Sequence, residues 1–372
     1  MQLLRAFSWL VSSALYWALL ALSFGLAGNT GAAAPEGADR PPGFAEPHIA
    51  VLLPLQSGSF AKHAESVRRG ILNAANSGPP NALKVKVYST NDDSAQILSA
   101  YERAVSMGAS AVIGPLTRGG VTALAQSGII SVPTLALNTP EGGESLARDL
   151  FVFGLNIEME TRQLARFALR QHNTKAFLIA SDSALSGRIA QAFTEEWESH
   201  DAKVTGRFTY ASDPAALAGL REQVAYSGAD IVFLALDSGR ARFVRSFLAA
   251  STAIFATSMI FTSTTDALAN FDLEGVRFLD MPWLLQPDHP AVISYSRPDV
   301  KRAALDQERL YALGIDAYRL VQELLRPYEA MAPLDGVTGT ITLDNSRLFA
   351  RALVPAQFSQ GIAKALEVPP AR

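Results

Sequence analysis

Short apolar runs alternate with longer segments of helical periodicity through most of this 372-residue chain, and this alternation restricts the fold more than any other feature. A buried parallel strand is a continuous apolar run, and the helix that follows it covers one face of the sheet. The first series predicts strands at 49–53, 84–89, 111–113 and 134–137. It also predicts helices at 60–76, 94–107 and 119–126, and a connecting strand at 151–154. We therefore expect an α/β fold with doubly wound parallel sheets.

A second series of the same kind begins after residue 156. It predicts helices at 158–171, 187–200, 214–226 and 239–248. It predicts strands at 176–180, 203–208, 231–236 and 259–261. Ser94 is a candidate helix cap, and Asp213 is placed to cap the helix that begins at Pro214. Two complete series predict two lobes, because a single core seldom grows beyond about 250–300 residues.

Segments left over after the second series predict how the two lobes are connected. A long helix is predicted at 306–325, and a hairpin is predicted where β-prone runs flank turn residues between 340 and 354. We expect the residues of lobe one at 48–153 and 278–330, and those of lobe two at 154–277 and 331–365. Both lobes are then discontinuous, the chain crosses between them several times, and hinge closure is the expected motion.

The first 34 residues have the pattern of a signal peptide. Arg5 precedes an apolar stretch at 7–26, and small residues follow at 32–34. The stretch approaches the roughly 20 residues of a spanning helix, so an uncleaved anchor is the alternative and would be the only membrane contact. Residues 35–47 have the composition of a disordered tether. We expect a periplasmic protein that is not a lipoprotein, because the sequence contains no cysteine to acylate.

Composition and motif content argue against several classes of function. A net charge of −3 provides no basic excess for nucleic acid. Without cysteine there is neither a thiolate metal ligand nor a catalytic thiol, and the five histidines lack the spacing of metal ligands. No nucleophile elbow, P-loop or dinucleotide fingerprint follows a predicted strand. We expect no catalysis, no metal and no cofactor.

Several segments of the sequence resemble a known superfamily. Four segments resemble type I periplasmic binding proteins, the Leu/Ile/Val-binding-like superfamily. The start of that fold is similar to HIAVLLPLQSGSFA at 48–61 and VRRGILNA at 67–74. Its third and fourth strands are similar to AVIGPL at 111–116 and VPTLALN at 132–138. The LppC/LpoA family of penicillin-binding-protein activators is more similar still, through DIVFLALD at 230–237, ARFVR at 241–245, MPWLL at 281–285 and ALGIDAYRL at 312–320. LDGVTGTITLD at 334–344 fits both groups.

The resemblance implies a type I periplasmic binding protein fold and a non-enzymatic role. In such a role the chain contacts a class A penicillin-binding protein, a peptidoglycan synthase, and stimulates crosslinking. The best-known family members carry a lipid on an N-terminal cysteine and an extra helical-repeat domain, whereas this sequence has no cysteine and a short tether before His48. The alternative is a solute receptor that delivers an amino acid or a similar small polar ligand to an ABC permease.

Polar residues follow several predicted strands, at the sheet edge where open α/β folds bind ligands. In lobe one the candidate cleft residues are Ser57, Ser59, Thr117, Arg118, Asn138 and Thr139. In amino-acid-binding relatives, hydroxyls at the positions resembling Thr117 and Thr139 help to hold a ligand carboxylate, and Arg118 would add positive charge. The alternative is that Ser57, Thr117 and Thr139 only cap helices and turns.

In lobe two the candidates are Asp182, Ser183 and Asp237, where a carboxylate would meet a ligand ammonium group, or Asp237 would cap a helix. Amino-acid-binding relatives carry an aromatic residue after the first strand of this lobe, in a pattern like Asp-x-x-Tyr-Gly. The sequence has LSG at 185–187 there, and the loss of an enclosing ring favours an empty or repurposed cleft. Trp283, where the chain should recross, either lines the cleft mouth and hinge or packs in the core.

Overall fold

The structure, a computed structural model, describes residues 46–142, 146–264, 267–297, 304–326 and 331–367. The predicted signal segment at 1–34 and nearly all of the predicted tether at 35–47 lie outside these residues. Within them, no helix combines the length and the apolar character that a membrane crossing requires.

The secondary structure follows the predicted alternation. The strands are β1 (His48–Leu53), β2 (Lys84–Ser89), β3 (Ala109–Ile113), β4 (Thr134–Ala136), β5 (Leu150–Val152), β6 (Lys175–Ala180), β7 (Lys203–Thr209), β8 (Ile231–Ala235), β9 (Ala253–Ala256), β10 (Arg277–Asp280), β11 (Leu334–Gly336), β12 (Gly339–Leu343), β13 (Phe349–Ala352), β14 (Val354–Ser359) and β15 (Ile362–Ala365). The helices are α1 (Ala61–Asn76), α2 (Ser94–Ser106), α3 (Arg118–Ser127), α4 (Ile157–Leu169), α5 (Ala184–Glu198), α6 (Pro214–Leu217), α7 (Leu220–Ser227), α8 (Ser238–Arg245), α9 (Ala267–Phe271), α10 (Pro282–Leu285), α11 (Pro290–Ile293) and α12 (Leu305–Leu324).

The strands form three sheets. The first is fully parallel in the order β2-β1-β3-β4-β5, and all six residues of β1 are buried, as expected for a central strand covered on both faces. The second has the order β15-β14-β10-β9-β8-β6-β7, in which β14 and β15 add an antiparallel pair to a parallel sheet. The third is the small antiparallel sheet β11-β12-β13, and its β12–β13 pair is the predicted hairpin.

Two bodies result from this arrangement. We define the first body as the first and third sheets with α1–α3 and α12, and the second body as the second sheet with α4–α9. The chain passes between them after β5, after β10 and after β13. Each body is therefore built from separate stretches of the sequence.

Two glycines allow α12 to pack closely on α1 in the first body. A Cβ atom at Gly70 would lie 1.9 Å from the carbonyl oxygen of Tyr311, and one at Gly314 would lie 2.2 Å from that of Val67. Both distances are far below van der Waals contact, so the two helix backbones touch where these residues face each other. The glycines of the VRRGILNA and ALGIDAYRL segments are therefore explained by helix packing.

The structure differs from the predicted elements at one helix and one strand. The helix predicted at 214–226 is divided into α6 and α7, with Ala218 and Gly219 between them. The predicted strand at 259–261 is wrong: β9 lies at Ala253–Ala256, and Ser258–Ile260 form a 3₁₀ turn. Both segments are apolar and largely buried, so their composition does not distinguish them. The backbone around Ser258 instead bonds to side chains, because its N–H donates to Glu160 and the carbonyl oxygens of Ser258 and Phe261 accept from Arg309.

The positions of three other segments also differ from expectation. Asp93, and not Ser94, caps α2 by accepting from the N–H of Gln96. Residues 278–280, expected in lobe one, belong to β10 in the second sheet. Residues 334–352, expected in lobe two, form the third sheet beside the first, since Val152 and Leu348 make a parallel bridge.

A buried carboxylate explains why the third sheet belongs to the first body. Asp316 on α12 accepts hydrogen bonds from the backbone N–H groups of Val337 (3.1 Å) and Thr338 (2.7 Å) and from the Thr338 hydroxyl (2.7 Å). The side chain of Asp316 is completely buried, and this burial raises its pKa against the effect of those hydrogen bonds. The turn between β11 and β12 is thereby attached to α12.

Candidate functional site

The predicted cleft residues of the first body lie at the carboxyl ends of β1, β3 and β4, and most of them are engaged locally. The Ser57 hydroxyl accepts from the N–H groups of Ser59 and Phe60 at the start of α1. The Thr117 hydroxyl accepts from the N–H of Gly120 and caps α3. These contacts are the capping roles that the sequence left open as an alternative to ligand binding.

The next two loops of the first body are tied to each other. Asn138 donates from Nδ2 to the carbonyl of Leu116 at 3.1 Å, and its Oδ1 accepts from the N–H of Thr139 at 3.0 Å. Arg118 starts α3, and its buried Nε has no hydrogen-bond partner within the described part of the chain. The hydrogen bond from Asn138 to Leu116 fixes the loop after β4 against the loop after β3.

The predicted residues of the second body follow the same pattern. Ser183 caps α5 by accepting from the N–H of Ser186 at 3.2 Å. Asp237 caps α8 through the N–H of Arg240 at 3.0 Å and forms an ion pair with its guanidinium at 2.9 Å. Asp182 is exposed. Across the described residues, no hydrogen bond or ion pair joins these side chains to the predicted cleft residues of the first body.

Trp283 lies in the core and not at the cleft mouth. Its side chain is fully buried, and its ring centre is 5.6 Å from that of Tyr311 on α12. The guanidinium of Arg297 lies 4.7 Å from the ring centre and also donates to the Trp283 carbonyl. The backbone N–H of Trp283 donates to the carbonyl of Val337 in the third sheet at 2.9 Å. Trp283 thus anchors the second passage to the first body by packing.

A cluster of charged residues that the sequence analysis did not single out lies where the three passages meet. Its centre is Arg309 of the first body, which is 7% exposed. Arg309 donates to Asp280 at the end of β10, with a shortest distance of 2.6 Å between Nη2 and Oδ2. It also donates to Asp306 at 2.7 Å and to the carbonyls of Ser258 and Phe261 at 3.2 and 3.0 Å.

The ion pair between Arg309 and Asp280 connects the two bodies, and all three nitrogens of the Arg309 guanidinium donate hydrogen bonds. Burial by itself would lower the pKa of Arg309, but the Asp280 carboxylate holds it above its usual value, so the side chain remains charged. Because Asp280 and the two accepting carbonyls belong to the second body, Arg309 acts as a cross-body connector.

Glu160 is a further charged residue of this cluster. Its carboxylate accepts from the Ser258 N–H at 2.6 Å and from the Ser258 hydroxyl at 2.9 Å. Burial raises the pKa of Glu160 to about 7, with a contribution from the nearby Asp280 charge and an opposing one from the Ser258 hydrogen bonds. Glu160 consequently changes its protonation state near neutral pH.

Two adjoining cavities open at the junction. One, of about 250 Å³, is lined by Leu155, Ile157, Glu160, Ser258, Met259, Asp280, Met281, Asp306, Arg309, Leu310, Arg351 and Leu353. The other, of about 180 Å³, is lined by Gly154, Asn156, Met159, Glu160, Arg162, Gln163, Arg166, Phe349, Ala350, Arg351 and Leu353. Both contain residues of the first and third passages, so they lie beside the chain segments that join the two bodies.

Two residues of this cluster, Glu160 and Arg309, occupy positions that the helix periodicity of the sequence marks as core-facing. Glu160 lies four and seven residues before the buried Leu164 and Phe167, which puts a carboxylate on the apolar face of α4. Arg309 is likewise at a core-facing position of α12, seven residues before Asp316. A charged residue at such a position requires a buried partner. Asp280 and Arg351 lie at strand ends, where no periodicity distinguishes them.

In the described part of the chain, no three His, Asp or Glu side chains are grouped so that they could hold a metal ion. The polar character of the junction is that of buried ion pairs and hydrogen bonds.

The two bodies, their parallel sheets and the three passages define the fold of a type I periplasmic binding protein. Within this class, the chain belongs to the family described as "LppC putative lipoprotein", whose profile matches residues 45–361. This match confirms the resemblance inferred from the sequence segments.

The curated relatives include proteins named penicillin-binding protein activator LpoA. The one from Photobacterium profundum is 27% identical over 357 residues, covering 86% of this chain and 57% of the relative. One from Vibrio cholerae is 26% identical over 345 residues, covering 82% and 56%. The chain thus spans a little more than half the length of these relatives.

Two solved structures are similar to this chain, one described as an ABC transporter and one as a regulator. A structure from Chromobacterium violaceum ATCC 12472, provisionally described as a branched-chain amino acid ABC transporter, is 36% identical with a TM-score of 0.71, covering 84% of this chain and 99% of the other. The C-domain of LpoA from Haemophilus influenzae, described as a regulator of PBP1A, is 21% identical with a TM-score of 0.73, covering 86% and 100%.

Proposed function

We propose that this chain is a non-catalytic regulator that binds a class A penicillin-binding protein in the periplasm and stimulates its crosslinking of peptidoglycan. The observation that carries this proposal is membership of the LppC family over residues 45–361, together with relatives named as activators of penicillin-binding proteins. Export by the predicted signal segment would place the chain in the compartment where such a synthase works.

The local geometry of the strand-end loops also favours a regulator. Thr117, Ser183 and Asp237 cap helices and Ser57 bonds the turn before α1, so these side chains would have to give up those bonds to hold a solute. The loop after β6 also lacks the aromatic ring that encloses an amino acid in solute receptors. Recognition would then be carried by the outer surfaces of the bodies.

The experiment is a crosslinking assay with the full chain and a class A synthase from the same organism. We expect the chain to be retained by the immobilised synthase and to increase the crosslinked fraction of the product. A heat-denatured sample of the chain is the matched control. Absence of both retention and stimulation would contradict the proposal.

A solute receptor for an ABC permease is the second candidate function. The observation that favours it is the 36% identity to the Chromobacterium violaceum structure over nearly the whole of that chain. In this case an amino acid or similar small polar molecule would lie against Thr117, Arg118, Thr139 and Asp182.

A thermal-shift panel of amino acids, with branched-chain ones included, separates the two candidates. A ligand at 100 times its Kd adds roughly 2.7 kcal/mol to the free energy of unfolding. Stabilisation that is lost in the D182N variant and retained in an E222Q control variant would support the receptor. No stabilisation by any member of the panel would contradict it.

A further inference from the structure

The Arg351 guanidinium is a partly buried cation with no hydrogen bond and no ion pair among the residues that the structure describes. Arg351 belongs to β13, just before the third passage, and it lines both of the cavities described above. Burial lowers the pKa of Arg351, while the more distant charges of Glu160, Asp280 and Asp316 act in the opposite direction. A cation taken out of water without a direct partner is costly.

The nearby carboxylates do not supply the missing partner, because each is engaged elsewhere. Glu160 is bound by Ser258, and Asp280 is bound by Arg309. Asp316 accepts three hydrogen bonds from the third sheet. Each of these three carboxylates is therefore bonded to donors other than Arg351.

The smaller cavity has a lining suited to an anion. Arg162 and Arg166 on α4 contribute to it along with Arg351, and Glu160 is the one carboxylate among its described lining residues. The ion-pair partners of Arg162 and Arg166 are glutamates of α5, at 3.0 and 2.9 Å, which do not line the cavity. The lining therefore contributes three guanidinium groups and one carboxylate.

Hydrogen bonds hold the Arg351 backbone in position. Gln163 on α4 donates to the Arg351 carbonyl at 2.9 Å and accepts from the Leu353 N–H at 2.7 Å. The third passage is thus attached to the second body on both sides of Ala352, and Arg351 is presented to the cavity from a fixed backbone. Such preorganisation reduces the entropy that binding would cost.

We propose that this junction binds a small oxyanion, a carboxylate or a phosphate, with the Arg351 guanidinium as its principal contact. A guanidinium donates two parallel N–H groups to the two oxygens of such a group. The volume of about 180 Å³ limits the bound part to the size of a phosphate or the end of a peptide. The site is separate from the strand-end loops, and the proposal does not depend on the proposed function.

Isothermal titration of the full chain with sodium phosphate, sodium acetate and the dipeptide alanylalanine, at constant ionic strength, tests the site. At least one of these anions should bind saturably to one site, with about a tenfold higher Kd in R351Q. R240Q, which removes an arginine that lines neither cavity, should bind as the unmodified chain does. Preference for alanylalanine over its C-terminal amide would identify a peptide carboxylate, and preference for phosphate would identify phosphate.

Two outcomes of the titration would overturn the proposal. One is saturable binding that is unchanged in R351Q. The other is absence of saturable binding by all three anions up to about 20 mM, a concentration that would reveal Kd values in the millimolar range.

Thermal unfolding of R351M provides a readout that a purely structural role for Arg351 would not produce. Without added anion, R351M should be at least as stable as the unmodified chain, because a partly buried charge without a direct partner has been removed. Phosphate or the best-binding anion should then raise the Tm of the unmodified chain and leave that of R351M unchanged. Equal destabilisation of R351M with and without the anion would show that Arg351 serves the fold alone.

Discussion

Arg309 belongs to a helix of the first body and bonds to the backbone and to a carboxylate of the second body. Its partner Asp280 is 2% exposed, so water cannot replace the guanidinium if it is removed. Removal of one member of a buried ion pair typically costs about 3–5 kcal/mol, far more than the pair contributes relative to apolar residues of the same size.

We therefore expect R309M to lower the free energy of unfolding by about 3–5 kcal/mol in urea denaturation, because Asp280 and two carbonyls lose their donor. The double variant R309M/D280L should recover part of this loss, since it no longer buries an unpaired charge. R326M, which removes an arginine paired with Glu323 on the surface, is the matched control and should change stability by less than about 1 kcal/mol. A loss below about 1 kcal/mol in R309M would contradict this account.

Glu160 makes the stability of the junction depend on pH. Its pKa is about 7 in the folded chain and near 4.5 in the unfolded chain, so the folded state binds the proton more tightly. The corresponding stabilisation is fully present below pH 4.5 and is lost as the pH rises towards and through 7. The difference between the two pKa values corresponds to about 3 kcal/mol.

The E160Q variant should lack this loss. Glutamine keeps an acceptor for the Ser258 N–H and a donor for the Ser258 hydroxyl, so the geometry is retained. We expect similar stability of E160Q and the unmodified chain at about pH 4.5, and a gain of up to about 3 kcal/mol for E160Q at about pH 8. E195Q, at an exposed ion pair, should show no such gain. Parallel pH profiles for E160Q and the unmodified chain would argue against a raised Glu160 pKa.

At the scale of elements, the crossing of α1 and α12 brings two helix backbones into direct contact. Helix axes usually approach to about 8–10 Å, and closer approach requires residues without side chains at the crossing. Gly70 and Gly314 fill this requirement from the two sides. The crossing attaches α12, and therefore Arg309 and Asp316, to the first sheet.

Replacement of Gly314 by alanine should destabilise the chain by more than about 2 kcal/mol, because a Cβ at 2.2 Å from the Val67 carbonyl forces the helices apart. Gly187 in α5 is the matched control, since no heavy atom lies within 4 Å of a Cβ at that position. G187A should be neutral or stabilising by up to about 1 kcal/mol, as alanine favours helix more than glycine does. Equal effects of G314A and G187A in chemical denaturation would contradict the close crossing.

At the scale of the whole molecule, the two bodies are joined by three chain passages and by buried contacts across the junction. Arg309 bonds to β10 and the 3₁₀ turn, and Gln163 bonds to the backbone on both sides of Ala352. The described residues between 46 and 367 belong to one compact unit. Strong coupling of this kind favours unfolding of both bodies in one transition.

Two buried tryptophans allow this coupling to be measured. Trp197 lies in the second body and stacks on Phe193, whereas Trp283 packs on α12 of the first body. In a variant expressed without residues 1–34, which contain the other two tryptophans, W197F and W283F each keep one tryptophan as a fluorescence probe. We expect both probes to report the same urea midpoint after correction for the effect of each substitution. Midpoints separated by more than about 0.5 M would indicate independent bodies.

Much of the element pattern could be predicted because it depends on local periodicity. The apolar run of β1, the helix spacing of α1 and α12 and the Asp213–Pro214 start of α6 are visible in the sequence itself. The turn bonds of Ser57 and the helix caps at Thr117 and Asp237 were also visible, but only as one of two alternatives. A hydroxyl or carboxylate at a strand end has the same sequence context whether it bonds to a helix N-terminus or to a ligand.

The sequence alone determined an α/β chain with two βα series, several passages between bodies and no thiol chemistry, because those properties follow from residue order and composition. Only the tertiary structure decided which buried charges meet. Glu160, Asp280, Arg309 and Arg351 are far apart along the chain, and no local pattern relates a carboxylate on α4 to a guanidinium on β13. The choice between Ala253–Ala256 and 259–261 as strand was decided in the same way, because side chains from distant elements bonded the backbone of the second segment.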